Sequence, residues 1–252
     1  MKSLIVALTA LLLAGCSSTP DPDQDPRDPF EHFNREMWDF NQELDRNIIS
    51  PAADVYDEIP EGVRRALYNM TENLDEPSSF VNNTLQAKFA DAGVSLSRFV
   101  INSTVGLLGL FDVASHVGLN KRQEGFGEVL ATWGVTDGPY LMLPVLGPTV
   151  VIDRGGDVVD GMYFPYPLLT WPMDIARWTI KGLETRIQLR QQERVLNNSL
   201  DPYAFVREAY FQNWRDRVYD GNPPVEMEDD EFEDFEDFDR FDDIDLESQT
   251  QP

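Results

Sequence analysis

The chain has 252 residues, 45 acidic and 20 basic, and a formal net charge of −25 at neutral pH. That balance excludes a basic stripe that could neutralise nucleic-acid phosphates, and it excludes recruitment by anionic headgroups. A single cysteine, Cys16, rules out an internal disulfide, and two distant histidines, His32 and His116, cannot build a zinc cluster without further ligands.

Lys2 precedes the apolar stretch Leu4 to Leu13, and Leu13-Ala14-Gly15-Cys16 follows. This reads as a secretory leader over residues 1–15, too short to span a bilayer. It resembles the bacterial lipobox, which implies cleavage before Cys16 and acylation of that thiol; Ser17 after it resembles lipoproteins sorted to the outer membrane. Several acyl chains on one residue would anchor stably, where one would not. Loss of Lys2 with the leader takes the charge from −25 to −26.

Residues 16–29 are rich in Pro and Asp and are expected to form an extended tether without a packed core. Asp28-Pro29 is expected to open a helix, Asp as N-cap and Pro at the first helical position. Phe30, Phe33, Met37, Phe40, Leu44 and Ile48 form an amphipathic stripe that should stop before Pro51. Pro60 begins a helix carrying Val63, Leu67, Met70 and Leu74, and Glu76-Pro77 begins one carrying Phe80, Val81 and Leu85. Residues 89–103 read as a helix with Phe89, Ala92, Leu96, Phe99 and Val100 facing inward. Asp112 should cap a turn reaching Leu119, and residues 125–135 give a short helix. The longest helical pattern runs from Met173 to about Asn197. Asp201-Pro202 caps a last helix with Tyr203, Val206, Tyr210, Trp214 and Val218 on one face. Strand alternation is weak outside Tyr140 to Val145, so the class is mainly α.

Three uncharged runs, 99–111, 138–152 and 161–173, are broken by Gly or Pro. The fifteen residues of the middle run would rise only ~22 Å as one helix, short of a ~30 Å hydrocarbon core. Gly138-Pro139 and Gly147-Pro148 mark turns at the ends of a compact apolar excursion. It is either a buried hairpin or a segment seated part-way into lipid. Tyr140, Tyr163, Tyr166, Trp171 and Trp178 surround the last two runs, as amphipathic rings do at a membrane interface. Backbone at that depth needs internal hydrogen bonds or a water-lined cavity, a demand met by short helices closed around a polar passage. Residues 226–247 hold fourteen acids and one Arg, with Phe232, Phe235, Phe238 and Phe241 every third residue. The segment 222–252 reads as a solvated acidic tail, or as an arm that steers toward a basic partner.

Ordered motifs along residues 28–220 resemble the MlaA/VacJ family of outer-membrane lipoproteins. They are Asp28-Pro29-Phe30-Glu31 with Asn34-Arg35, Phe40-Asn41 with Leu44-Asp45, Asn73-Leu74 with Glu76-Pro77, Val81-Asn82, and Arg98-Phe99 with Asn102 to Gly106. The most specific is Trp133-Gly134 with Gly138-Pro139-Tyr140, Leu143-Pro144 and Gly147-Pro148. Ile152 departs from the arginine expected before Asp153, which puts any ion pair there in doubt, and the acidic tail is not carried over.

The resemblance implies a single helical domain over residues 30–221, a ring of short amphipathic and interfacial helices embedded in one membrane leaflet around a central channel. It implies transport of mislocalised phospholipid from the outer leaflet to a soluble periplasmic phospholipid carrier, beside a trimeric porin, with no cofactor. On that reading Tyr140, Leu141, Met142, Leu143, Pro144, Val145, Leu146, Gly147 and Pro148 are candidates for a mobile or channel-forming hairpin. Leu141, Met142, Leu143, Val145 and Leu146 are its lipid-facing members. Arg35, Arg98 and Lys121 are candidates for phosphate contact, each against the alternative of a surface or paired charge. A structural, porin-associated lipoprotein without transport is the competing reading. A phospholipase lacks support, with no Gly-x-Ser-x-Gly elbow and two histidines better read as structural.

Overall fold

The computed structural model describes residues 25–224; Cys16, the tether before residue 25 and the acidic tail lie outside them. Among the described residues no helix is long and apolar enough to cross a membrane. Eleven α-helices and one hairpin make up the described chain: α1 Glu31–Leu44, α2 Ser50–Asp57, α3 Glu61–Asn73, α4 Glu76–Leu85, α5 Phe89–Thr104, α6 Val113–His116, α7 Phe126–Thr132, β1 Tyr140–Leu143, β2 Gly147–Val150, α8 Val151–Asp160, α9 Trp171–Leu189, α10 Glu193–Asn197 and α11 Pro202–Val218. The chain is mainly α, as expected.

The first helix does not stop before Pro51. A π-helical turn, Asp45–Ile49, joins α1 to α2, and Ser50 N donates to the Asp45 carbonyl five residues back. The widened turn takes up the break that Pro51 would otherwise impose, so α1 and α2 run on. Pro29 does not start α1 under an Asp28 cap either; Phe30 is the N-cap residue, without a side-chain bond. Asp28 is instead buried and accepts from Asn34 Nδ2 (2.7 Å), Tyr203 OH (2.5 Å) and Arg207 Nη1 (3.1 Å). The last residues of the supposed tether therefore pack into the domain. Farther on, Asp112 caps α6 by accepting from Ser115 N, and Asp201 caps α11 by accepting from Ala204 N, both as expected.

The order of neighbours closes on itself. Helix α1 packs on β1, β2 on α8, α8 on α7, α7 on α4, α4 on α5, α5 on α3, α3 on α9, and α9 on α2, which continues α1. At α7 and α8 the wall is held backbone to backbone. A Cβ on Gly156 would lie 2.2 Å from Gly127 N, so only two facing glycines allow that approach.

The hairpin is antiparallel, Tyr140 opposite Val150 and Met142 opposite Pro148. Helix α1 supplies hydrogen bonds to its free edge. Asn34 receives Met142 N (2.9 Å) and donates to the Tyr140 carbonyl (3.1 Å), while Asn41 receives Val145 N (2.7 Å) and donates to the Leu143 carbonyl (2.9 Å). Residues seven apart on a helix lie two turns and ~10 Å apart on one face, close to the length of three strand residues. Two asparagines can therefore stitch one strand. Tyr140, Met142, Val150 and Ile152 then pack on Tyr203, Phe211 and Trp214 of α11, forming an apolar core.

Elsewhere the pattern is reversed. Helix α5 buries Ala92, Ser95, Arg98 and Asn102, whereas Phe89, Leu96 and Val100, expected to face inward, are exposed, Phe89 by 69 %. Helix α4 buries Glu76, Ser78, Ser79, Asn82 and Asn83, and α3 buries Arg64, Thr71, Glu72 and Asn73. The expectation fails because the inward face is fixed by ion pairs and side-chain amide hydrogen bonds that only the polar stripe can make. Arg98 Nε donates to Glu76 at 2.5 Å, both side chains being 2 % exposed, and Asn73 donates to Ser103 Oγ. The loop after α5 carries Val105, Leu107, Leu108 and Phe111 outward, Leu108 by 72 %.

Candidate functional site: a charged cavity inside the ring

The ring encloses a cavity of about 1010 Å³. Its wall takes Asp45 and Ile49 from the π turn, Asp75 and Ser78 at the start of α4, and Glu124, Gly125, Gly127 and Glu128 at α7. Val145 to Gly147 contribute from the hairpin tip, Asp153, Arg154, Asp157 and Asp160 from α8, Arg177, Lys181 and Arg186 from α9, and Arg217 from α11. Such a space suits an amphipathic ligand with a charged head. Among the described residues no group of His, Cys, Asp and Glu could hold a metal ion.

Helix α9 explains how one element serves two surroundings. Arg177, Lys181 and Arg186 line the cavity, with Trp178 at its edge, while Trp171, Met173 and Ile175 are exposed, Trp171 by 75 %. Lys181 bonds both Asp75 and Glu72. Burial alone would lower its pKa, but the Asp75 and Glu72 charges outweigh burial and raise it. Glu72 is itself pulled down to about 2, because Lys181 and Lys121 overcome its desolvation. Arg186 is held by Asp45 (2.6 Å) and Glu193 (2.5 Å). Arg177 is less committed. Its guanidinium lies over the Tyr166 ring at 4.4 Å, reaches Asp75 only at 3.6 Å, and leaves Nε without a partner.

On the opposite side in sequence, Asp153, Asp157 and Asp160 repeat at four and three residues along α8 and line the same cavity. Asp153 accepts from Arg217 (2.9 Å) and Tyr210 OH (2.8 Å), so α11 supplies the ion pair that Ile152 withdraws. Ile152 itself is buried in the apolar core. Glu128 accepts from Gly125 N (2.6 Å) and Arg217 (3.0 Å), yet burial pushes its carboxyl up to about 7 against the pull of Arg217.

The residues singled out from sequence divide. Val145, Leu146 and Gly147 line the cavity, and Pro144 is exposed at the tip. Tyr140 and Met142 do not face lipid or a channel; they are sealed in the core, Met142 with 1 % exposed, because β1 is bound on one edge by α1 and covered by α11. Leu141, Leu143 and Pro148 are half-buried. None of the three candidate phosphate ligands lines the cavity. Arg35 is held by Glu31 (2.7 Å) and Asp201 (2.6 Å), Arg98 is buried on Glu76, and Lys121 is paired with Glu72 at 2.8 Å. The cations that do line it, Arg154, Arg177, Lys181, Arg186 and Arg217, were missed. The available signal was the spacing of Arg177 and Lys181, one helical turn apart after Trp171-Pro172. Of the interfacial rings, Trp171 and Trp178 are exposed, while Tyr166 turns inward and donates to Asp75. His32 and His116 are both exposed, and His116 Nδ1 is 2.8 Å from the Asp112 carbonyl.

Residues 26–217 match the family described as MlaA lipoprotein. The chain belongs to that family. It is 42 % identical over 212 residues to the intermembrane phospholipid transport system lipoprotein MlaA of Escherichia coli (strain K12), covering 82 % of this chain and 84 % of that one. The protein of that name from Haemophilus influenzae is 35 % identical over 230 residues, covering 87 % and 92 %. A chain from a solved structure presented as "Structural basis for maintenance of bacterial outer membrane lipid asymmetry" superposes with a TM-score of 0.72 at 40 % identity, covering 77 % of this chain and 99 % of that one. The MlaA motifs read from the sequence thus fall where the family match lies, and the MlaA-like part includes every element of the ring.

Proposed function

We propose that the protein carries phospholipid between membranes and so maintains outer-membrane lipid asymmetry. One observation supports this above all: a closed helical ring with apolar side chains on its outside and charges around an inner cavity. An exterior of exposed Phe89, Leu96, Val100, Leu107, Leu108, Trp171 and Met173 far exceeds the scattered apolar residues of an ordinary surface. Lipid tails are a suitable solvent for it, and the polar interior satisfies the backbone and side chains that lipid would leave unpaired. With no spanning helix among the described residues, the ring fits one leaflet, held there by its band and by acylated Cys16. A phospholipid from the other leaflet can then enter the cavity headgroup first, with no bond made or broken, and leave to a soluble periplasmic carrier. A trimeric porin is the proposed neighbour in the membrane. The hairpin acts at its tip only, Pro144 to Gly147, since its base is stitched to α1.

The test is the phospholipid content of the outer leaflet in cells lacking the protein. It should rise with porin levels unchanged, return to normal with the wild-type chain, and stay raised with Leu146→Asp, which puts a charge on the tip. Normal asymmetry in the deletion strain would leave the structural, porin-associated reading standing. Release of free fatty acid from pure phospholipid by the purified protein would point instead to an enzyme.

A further inference from the structure

The charges around the cavity are unequal in a way that bears on which lipid passes. Seven carboxylates line it (Asp45, Asp75, Glu124, Glu128, Asp153, Asp157, Asp160) against five cations. Four of the cations are within 3.0 Å of a carboxylate: Arg154 on Asp157, Lys181 on Asp75, Arg186 on Asp45, Arg217 on Asp153. Arg177 alone among these five stands off, at 3.6 Å from Asp75, its guanidinium over the Tyr166 ring, Nη1 3.5 Å from Tyr166 OH and Nε unpartnered. Among the carboxylates, Asp160 takes neutral donors alone, Ser78 Oγ (2.8 Å), Asn82 Nδ2 (2.7 Å) and Phe126 N (2.9 Å). Asp157 has Arg154 as its one ion pair, and its carboxyl is pushed up to about 6, chiefly by desolvation that Arg154 does not offset. Asp75, the carboxylate nearest Arg177, lies three residues before Ser78, whose Oγ donates to Asp160, so the loosely held guanidinium and the carboxylate without a cation share one stretch of wall.

We propose that the passage selects phospholipids whose headgroup joins an amine to the phosphate, as ethanolamine lipids do, over net-anionic phospholipids, with Arg177 facing the phosphate and Asp157 and Asp160 facing the ammonium. The inference rests on the transport reading and names its substrate class. A zwitterion adds one cation and one anion, and the wall has a place for each. An anionic headgroup without an amine, such as glycerol, brings the phosphate alone, leaving Asp157 and Asp160 with no new cation and adding repulsion. In a wet cavity one such contact is worth under ~1 kcal/mol, which corresponds to a preference of roughly threefold to fivefold.

The experiment uses the full-length protein in mild detergent with equimolar dioleoyl-phosphatidylethanolamine and dioleoyl-phosphatidylglycerol, the bound lipids being extracted and counted by mass spectrometry. Wild type should hold ethanolamine lipid in about threefold excess. The ratio should fall to parity in Asp157→Asn and in Asp160→Asn, with total bound lipid retained. Asp157 is half-exposed and is the variant expected to fold even if Asp160, which also ties α7 to α4, does not tolerate change. Arg177→Gln should lower both lipids together. Equal uptake by wild type, an excess of the glycerol lipid, or an excess unchanged in Asp157→Asn would each overturn the proposal while leaving transport intact. Binding of neither lipid would overturn the transport reading and this one with it.

Discussion

Two halves of the ring solve the folding problem in opposite ways. Where the hairpin meets α11, Tyr140, Met142, Val150, Tyr203, Phe211 and Trp214 form an apolar core that excludes water as in any soluble domain. Between α3, α4 and α5 the interior is Arg98, Glu76, Asn73, Asn82, Asn83 and Asn102, and the apolar residues are outside. The first half is stable wherever water is the solvent. The second gains little from water and much from lipid, because its outer face is what a bilayer can bury. On the proposed reading, staying in one leaflet while keeping a wet interior calls for both.

The largest expected effect breaks the polar half. Arg98→Ala leaves Glu76 buried without its cation and should cost about 3–5 kcal/mol, measured by denaturant unfolding in detergent. Arg98→Met with Glu76→Leu should recover most of that loss; failure to do so would mean the pair does more than compensate itself. Met142→Ala attacks the apolar half and should cost about 2–4 kcal/mol through lost burial and a cavity, whether or not detergent is present. A similar dependence on detergent for both variants would erase the contrast between the halves.

A smaller effect concerns pH at the seam. Glu128 has a usual pKa of 4.5 when unfolded and about 7 in the folded ring. Below 4.5 both states hold the proton, so stability is fully present there. As pH rises through about 7 the folded state is made to ionise a buried carboxyl, and stability is lost. Glu72 and Asp112, held down at about 2, run the other way and lose stability only in stronger acid. Glu128→Gln should therefore flatten the decline in stability between about pH 5 and about pH 8 by ~1–3 kcal/mol. Equal pH profiles for the two proteins would rule out this carboxyl as the source.

The smallest stability change belongs to the outer face. Phe89→Ser with Val100→Ser should shift stability in detergent by less than about 0.5 kcal/mol, as exposed substitutions do. The same pair should weaken partition of the unacylated protein into vesicles. Unchanged partition would show that this face does not enter lipid.

The sequence by itself determined most of the elements, though not α8, the run-on through Pro51 or the break after Leu189. The Asp112 and Asp201 caps, the period of α5 and α11, and the Gly-Pro turns around the hairpin are local, set by neighbours a few residues away, and they were legible; so was the family. It did not determine which face of a helix points inward. Periodicity separates an apolar stripe from a polar one but is the same whichever side the solvent is on, so α5 read correctly as a helix and wrongly in orientation. The cavity cations were hidden for a related reason. Arg98 and Arg177 are alike in sequence, and only their distant partners differ: Glu76 sits against one, while the other meets Asp75, just beyond the neighbouring α3, only at 3.6 Å. Ring closure alone decides those partners, because it sets α4 against α5, α9 against α3 and α7 against α8.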